Sequence, residues 1–213
     1  MSTTQKGFLW VIAACSGTGK STVCQKLLKE WSHARLSISY TTRAPREGEE
    51  DGIHYHFISK EEFLEMRSQN QFLESAQVHD QYYGTGRAKT EELLAAGQDV
   101  LLDIDVQGAQ SIREVFGPQA IQIFLLPPSW EVMVKRLVDR GTETQERIQR
   151  RLRTAREEMP LAKEFDYMIV NDQLDDTVKA IQAIRDAESK RTLRNQELLD
   201  TILQQIPQED PPA

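Results

Sequence analysis

The chain has 213 residues, 39% hydrophobic and 28% charged, with 26 basic against 33 acidic side chains and a net charge of −7. No uninterrupted apolar segment approaches the roughly 20 residues of a membrane-spanning helix, and the acidic balance argues against a general nucleic-acid binder. Cys15 and Cys24 are the only cysteines, so no disulfide framework is implied, and neither stands in a metal-ligand spacing with His33, His54, His56 or His79.

The length suits one domain with inserted subdomains. Met1 to Lys6 runs straight into an apolar segment, so a cleavable secretory signal is not expected and the reading is a cytoplasmic protein. That segment, Phe8-Leu9-Trp10-Val11-Ile12-Ala13, has the composition of a buried strand. It leads through Ala14, Cys15, Ser16, Gly17, Thr18, Gly19, Lys20, Ser21 and Thr22 into a helix-compatible stretch.

Glycines at this spacing let successive backbone N–H groups turn toward phosphate oxygens, while the next helix presents its positive end to the same anion. Lys20 would reach the β- and γ-phosphates of a nucleoside triphosphate, and the Ser21 hydroxyl would hold magnesium directly. Ala14 replaces the first glycine of G-x-x-x-x-G-K-S/T, so the strand–loop–helix context carries part of the assignment. Cys15 sits near a helix N-terminus, a setting that lowers a thiol pKa, but a small packed residue is the favoured reading.

From about Ser37 to Arg87 the chain is rich in Tyr, His, Glu and Gly. Ser37–Tyr40 and His54–Ile58 read as strands of a small antiparallel insertion. Ser59 and Glu62 form a capping-box pattern before Phe63-Leu64-Glu65-Met66, and Gly97 would end the helix holding Leu93 and Leu94. Val100–Asp105, Ala120–Leu126 and Tyr167–Val170 are further strand candidates, and Pro127-Pro128-Ser129 opens a helix. A helix is expected from Leu174 to about Ile206, with a bend at Ser189-Lys190-Arg191, and the tail from Pro207 is expected to be disordered. Buried strands alternating with helices predict an α/β fold with a parallel sheet covered on both faces.

Arginines concentrate at Arg43 and Arg46, and again through Arg136, Arg140, Arg147, Arg150, Arg151, Arg153 and Arg156. In an acidic chain such clusters suit small, highly charged anions, because guanidinium grips phosphate bidentately.

The segment Ser39-Tyr40-Thr41-Thr42-Arg43-Ala44-Pro45-Arg46-Glu47-Gly48-Glu49, followed by Gly52, Tyr55 and Phe57, resembles the monophosphate-binding region of guanylate kinases. Further blocks match in order: Phe72-Leu73-Glu74, Tyr82-Tyr83-Gly84-Thr85, Leu102 to Gly108, Arg140 to Thr144, and Phe165 to Asp172. The resemblance extends over about residues 7 to 200. It departs from the family at Cys15, where bacterial members commonly have proline, and at Gly86, where many have serine.

The resemblance implies magnesium-dependent phosphoryl transfer from ATP to GMP, and to dGMP. Ser39, Arg43, Arg46, Tyr55 and Tyr83 would hold the GMP phosphate, Glu74 would accept from guanine N1–H and the 2-amino group, and Thr85 would donate to O6. Asp105 matches a GMP-binding position, Asp103 would orient an arginine or act on the metal through water, and Asn171 falls in the ATP site. Lys20, Arg43, Arg140 and Arg151 would act on the transferring group. The fold implied is a P-loop core (1–36, 88–128 and 158–206) with a mixed α/β GMP-binding insertion (37–87), a helical lid (129–157) and a tail (207–213). The partners expected are ATP and GMP, with no nucleic acid and no membrane, and the C-terminal helix leaves room for a homo-oligomer. Two other readings stand beside this one: a catalytically inactive binding module of the same fold, and a kinase of a phosphorylated ribose. An intact Gly19-Lys20-Ser21 speaks against the first, and Glu74 with Thr85 against the second.

Overall fold

The structure is a computed structural model that describes residues 6–78, 80–139 and 144–206. Its elements in chain order are β1 (Leu9–Ala14), α1 (Lys20–Glu30), β2 (Ala34–Leu36), β3 (Tyr40–Thr41), β4 (His56–Phe57), α2 (Lys60–Ser68), β5 (Phe72–Val78) and β6 (Gln81–Gly86). They continue with α3 (Arg87–Ala95), β7 (Asp99–Asp103), α4 (Val106–Phe116), β8 (Ala120–Leu126), α5 (Trp130–Asp139), α6 (Gln145–Glu158), β9 (Tyr167–Val170), α7 (Leu174–Glu188) and α8 (Gln196–Leu203). Short 3-10 segments lie at Gly117–Gln119, Met159–Glu164 and Thr192–Arg194.

Five strands form a parallel sheet in the order β2-β7-β1-β8-β9. Because β1 is covered on both faces, its side chains alternate between two apolar clusters rather than between core and water. Trp10 and Ile12 pack with Val23 and Leu27 of α1 and Val178 and Ile181 of α7. Leu9, Val11 and Ala13 pack with Ala109 and Ile112 of α4 and with Phe124 and Met133. Each large side chain so buried contributes about 1.5–3 kcal/mol. The anchoring of this sheet is what fixes the loops at its carboxyl edge.

The second sheet has four strands in the order β4-β3-β6-β5 and corrects the expected all-antiparallel insertion. β3 pairs with β6 antiparallel but with β4 parallel, because a long loop from Thr42 to Tyr55 carries the chain back before β4 begins. The expected strands Ser37–Tyr40 and His54–Ile58 shrink to two paired residues each, and the longest strands of this sheet, β5 and β6, were visible in the sequence only as motif blocks.

Several boundaries follow their local chemistry. Ser59 Oγ accepts from the Glu62 N–H at 3.1 Å, as the capping pattern predicts, and Ser129 Oγ caps α5 through the Val132 N–H at 3.2 Å. The expected strand at Val100–Asp105 stops at Asp103. Asp105 instead caps α4: its backbone stays extended, as an N-cap requires, while its Oδ1 accepts the Gly108 N–H at 2.8 Å. The C-terminal helix breaks between α7 and α8, at the polar stretch expected to interrupt it. Leu198, Leu199, Ile202 and Leu203 of α8 are all exposed, so this helix does not dock on its own core. The expected tail from Pro207 lies outside the described residues. Among those residues no helix is long and apolar enough to cross a membrane.

Candidate active site

The loop after β1 turns on two glycines held at φ 87° (Gly17) and φ 97° (Gly19), a region that side chains with a Cβ rarely adopt. Gly19 is also the N-cap of α1 and supplies no side-chain cap, so the first N–H groups of the helix stay available to an anion. Lys20, the first helical residue, reaches across to the end of β7. Its Nζ donates to the Ile104 carbonyl at 2.7 Å and pairs with Asp103 Oδ1 at 2.7 Å. Asp103 was expected to orient an arginine or act on a metal through water; the partner it has in this structure is Lys20.

Ala14, Cys15, Ser16, Gly17, Gly19, Lys20 and Ser21 line a cavity of about 500 Å³, closed on its far side by Arg147, Arg150, Arg151 and Glu158 of α6. Arg151 Nη1 donates to Ser16 Oγ at 3.0 Å, a direct bond between α6 and the loop. Of the remaining arginines in this cluster, Arg156 lies over the Trp130 ring at 5.2 Å and Arg153 faces solvent. Arg140, expected to act on the transferring phosphoryl group, lies outside the described residues.

A neighbouring cavity of about 420 Å³ is bounded by Thr18, Gly19, Thr22, Arg136 and Asn171. Asn171 is buried and both ends of its carboxamide are engaged: Nδ2 donates to the Thr18 carbonyl at 2.7 Å and Oδ1 accepts from Thr177 Oγ1 at 2.9 Å. Arg136 Nη1 donates to the Asn171 carbonyl at 3.0 Å and to that of Thr18 at 3.3 Å. These two side chains therefore brace the loop from beneath. The sequence assigned Arg136 only to a cluster, since nothing in its spacing reveals that it bonds backbone 118 residues away.

Cys15 is packed rather than activated. It is buried, its Sγ lies 3.6 Å from the Ala155 carbonyl, and burial pushes the thiol up to about 12. Alkylation by iodoacetamide at pH 8 should accordingly be slow with or without ATP; fast labelling that ATP suppresses would contradict this packing.

The second sheet brings the other half of the site together. Ser39, Tyr55, Glu74, Tyr83, Asp105 and Asp103 line one cavity of about 390 Å³, and Lys20 and Ser21 line it as well. Glu74 on β5 stands opposite Thr85 on β6, next to a register shift between Phe72 and Glu74. Its Oε1 accepts the Thr85 hydroxyl at 2.6 Å. Gly108 allows α4 this close, since a Cβ there would meet Glu74 Oε2 at 3.3 Å. Burial, with the nearby Asp105 charge, raises the Glu74 pKa to about 7 even though Thr85 hydrogen bonds favour the carboxylate. Thr85 is fully buried and commits its hydroxyl to Glu74, so in this conformation it orients the carboxylate instead of presenting a donor to the cavity.

Arg43 is held at the rim. Its Nη1 and Nη2 each donate to Glu49 at 2.9 Å, its Cζ lies 5.5 Å from the Tyr55 ring, and Glu49 also accepts the Arg46 N–H at 2.7 Å. Those bonds hold the Glu49 carboxyl at about 2, well below the usual carboxylate range. Arg46 itself is exposed and does not join the cavity wall. Two acids were missed as site residues. Glu49 appeared only as the last letter of a motif, and Glu158, raised to about 7 chiefly by burial, came from a helix whose arginines dominated the reading.

Comparison with known proteins agrees with this geometry. The family model described as guanylate kinase matches residues 6–188. A guanylate kinase of Clostridioides difficile is 46% identical over 195 residues, covering 92% of this chain and 95% of the relative. One of Neisseria meningitidis serogroup B is 51% identical over 174 residues, covering 82% and 84%. A crystal structure of guanylate kinase from Anaplasma phagocytophilum superposes with a TM-score of 0.75 at 34% identity, covering 92% of this chain and 95% of that one. With a matching family model over most of its length and relatives at this identity, the chain belongs to the guanylate kinase family.

Proposed function

We propose that the protein transfers the γ-phosphoryl group of ATP to GMP, and to dGMP, giving ADP and the nucleoside diphosphate. The observation that carries this reading is the shared wall: Lys20 and Ser21 line both the loop cavity and the Glu74 cavity, so a triphosphate in the first and a monophosphate in the second would meet at these two residues.

In-line transfer forms a bond from a GMP phosphate oxygen to the γ-phosphorus and breaks the bond from that phosphorus to the β,γ-bridging oxygen, which leaves with ADP. The attacking oxygen is already anionic near neutral pH, so the protein's task is to bring repelling anions together and to match charge as it shifts. Lys20, Arg43, Arg140 and Arg151 supply that positive charge in this proposal, with Ser39, Arg46, Tyr55 and Tyr83 on the acceptor phosphate. Loop N–H groups from Ala14 to Thr22 hold the donor phosphates, and Asn171 keeps the loop in shape. Glu74 and Asp105 read guanine. Adenine presents an acceptor at N1 and lacks the 2-amino group, so it would leave the Glu74 carboxylate buried and unpaired.

The donor chemistry fits magnesium carried in with ATP. Among the described residues no group of three or more His, Cys, Asp or Glu could hold a metal alone, which suits a cation bound mainly through phosphate oxygens and water. The Ser21 hydroxyl would hold it directly and Asp103 through water, and the ion would neutralise phosphate charge when bound. The proposed division of the chain has residues 37–87 and 129–157 closing on a core of 1–36, 88–128 and 158–206, which would keep water from the triphosphate.

A coupled assay over GMP, dGMP, AMP, UMP and ribose phosphates tests the assignment. Turnover is expected with GMP and dGMP. Equal turnover with AMP or a ribose phosphate would overturn it, as would no turnover at all. The clamp on Arg43 makes a second test: Glu49→Gln should raise KM for GMP about tenfold and also lower kcat, because a charge-assisted pair that holds Arg43 is lost.

A further inference from the structure

A cavity of about 900 Å³, larger than those of the nucleotide site, belongs to neither nucleotide half. It lies behind the second sheet, where β3, β4, α2 and β6 face β2 and α3. Leu36, Ile38, Tyr40, Met66 and Leu93 supply apolar wall. The Tyr40 ring sits 4.6 Å from that of His56 and crosses Gly86 so closely that a Cβ at Gly86 would lie 3.0 Å from its Cε2. Arg35, Arg87 and Lys89 stand around this wall; Arg87 pairs with Glu91 at 3.2 Å and Lys89 with Glu92 at 2.7 Å. Arg35 rests its Nη1 on the carbonyls of Ser32 and Ala34, at 2.9 and 2.8 Å, and not on a carboxylate.

An apolar floor with a few convergent polar groups, at this volume, is the usual form of a small-molecule site. Arg35, bonded to carbonyls instead of a carboxylate, leaves positive charge at the cavity edge, and this favours an anionic ligand. The same strands also build the Glu74 cavity: Tyr40 faces the rear while Ser39 faces the front, and β6 carries Gly86 at the rear with Tyr83 and Gly84 at the front. A molecule filling the rear cavity therefore bears on the strands that position the acceptor site.

We propose that the rear cavity is a second ligand site, taking an amphipathic anion with a flat aromatic body, and that its occupancy alters binding at the Glu74 cavity. The kinetic arm of the test rests on the GMP reading above, whereas the binding arm does not. Anilinonaphthalene sulfonate serves as the probe, titrated by fluorescence onto the full chain saturated with ADP and GMP. One dye is expected to bind per chain and to stay bound under these nucleotides. Ala88→Trp, an exposed substitution on α3 that points bulk at the cavity wall, should abolish dye binding. Lys89→Glu should weaken it about threefold, as expected for an exposed charge. Both variants should keep parental turnover without dye, and in the parent protein the dye should change KM for GMP while leaving that for ATP unaltered. Displacement of the dye by the nucleotides, undiminished binding in Ala88→Trp, or an unchanged KM for GMP would each overturn the proposal. Absence of GMP kinase activity together with saturable, Ala88→Trp-sensitive dye binding would instead count against the GMP reading.

Discussion

Replacing Arg151 with alanine should lower kcat on the order of 10³-fold while KM for GMP stays within about threefold, since one arginine acting on a transferring phosphoryl group contributes at least that much. The residue lines the loop cavity, and its Nη1 bonds Ser16 Oγ at 3.0 Å, so its charge is already next to the loop. It is remote in function from the Glu74 cavity, which it does not line. Arg151→Lys keeps the charge but loses the planar fork, and should recover only part of the loss. Steady-state kinetics with both nucleotides varied separates these effects. Turnover within a factor of ten of the parent would remove Arg151 from the proposed phosphoryl-transfer group and leave it as a brace on the loop.

Glu74→Gln should reduce kcat/KM for GMP on the order of 10³-fold, because two charge-assisted hydrogen bonds to guanine are replaced by an amide that turns a donor toward a donor. The parent protein should show a matching pH dependence. The nucleotide-free Glu74 titrates at about 7. Below that pH the protonated carboxyl offers guanine one fewer acceptor, so KM for GMP should rise about tenfold per pH unit. A KM for GMP that is flat from pH 5.5 to 8 would exclude Glu74 as the guanine acceptor.

Stability runs the opposite way. The folded-state pKa of about 7 lies above the ordinary 4.5, so the folded chain holds its proton longer than the unfolded one. The contribution of this group is therefore fully present below about pH 4.5 and is lost as pH rises toward 7. At pH 8, Glu74→Gln should raise the stability of the nucleotide-free protein by up to about 3 kcal/mol, measured by urea denaturation. Poorer catalysis with a firmer fold is the signature of a buried charge kept for a ligand.

The conformation of the glycine loop after β1 was legible because every requirement it meets is local. Two positive-φ glycines, a lysine and a hydroxyl at fixed offsets after a β-branched and aromatic run leave few alternatives, and the structure realises them with Gly17, Gly19, Lys20 and Ser21. The cap at Ser59 and the helix start at Ser129 were legible for the same reason, as each serine bonds an N–H three residues on. The small strands were legible in place, through Ser37–Tyr40 and His54–Ile58, but not in length or pairing. β3 and β4 are two residues each and exist through pairing across the insertion, which no local pattern encodes.

The order of motifs along the chain by itself determined the family and the residue types available to grip phosphate and guanine. Only the folded chain decided what those residues touch. Lys20 meets Asp103, Arg43 meets Glu49, and Thr85 turns its hydroxyl to Glu74 instead of the open cavity. Asn171 and Arg136 brace the loop from far away in sequence, and Glu74 and Glu158 titrate near 7 because of what surrounds them. The physical reason is range: glycine torsions, caps and hydrophobic periodicity act within a few residues, whereas desolvation and charge pairing depend on neighbours that tertiary packing alone assembles.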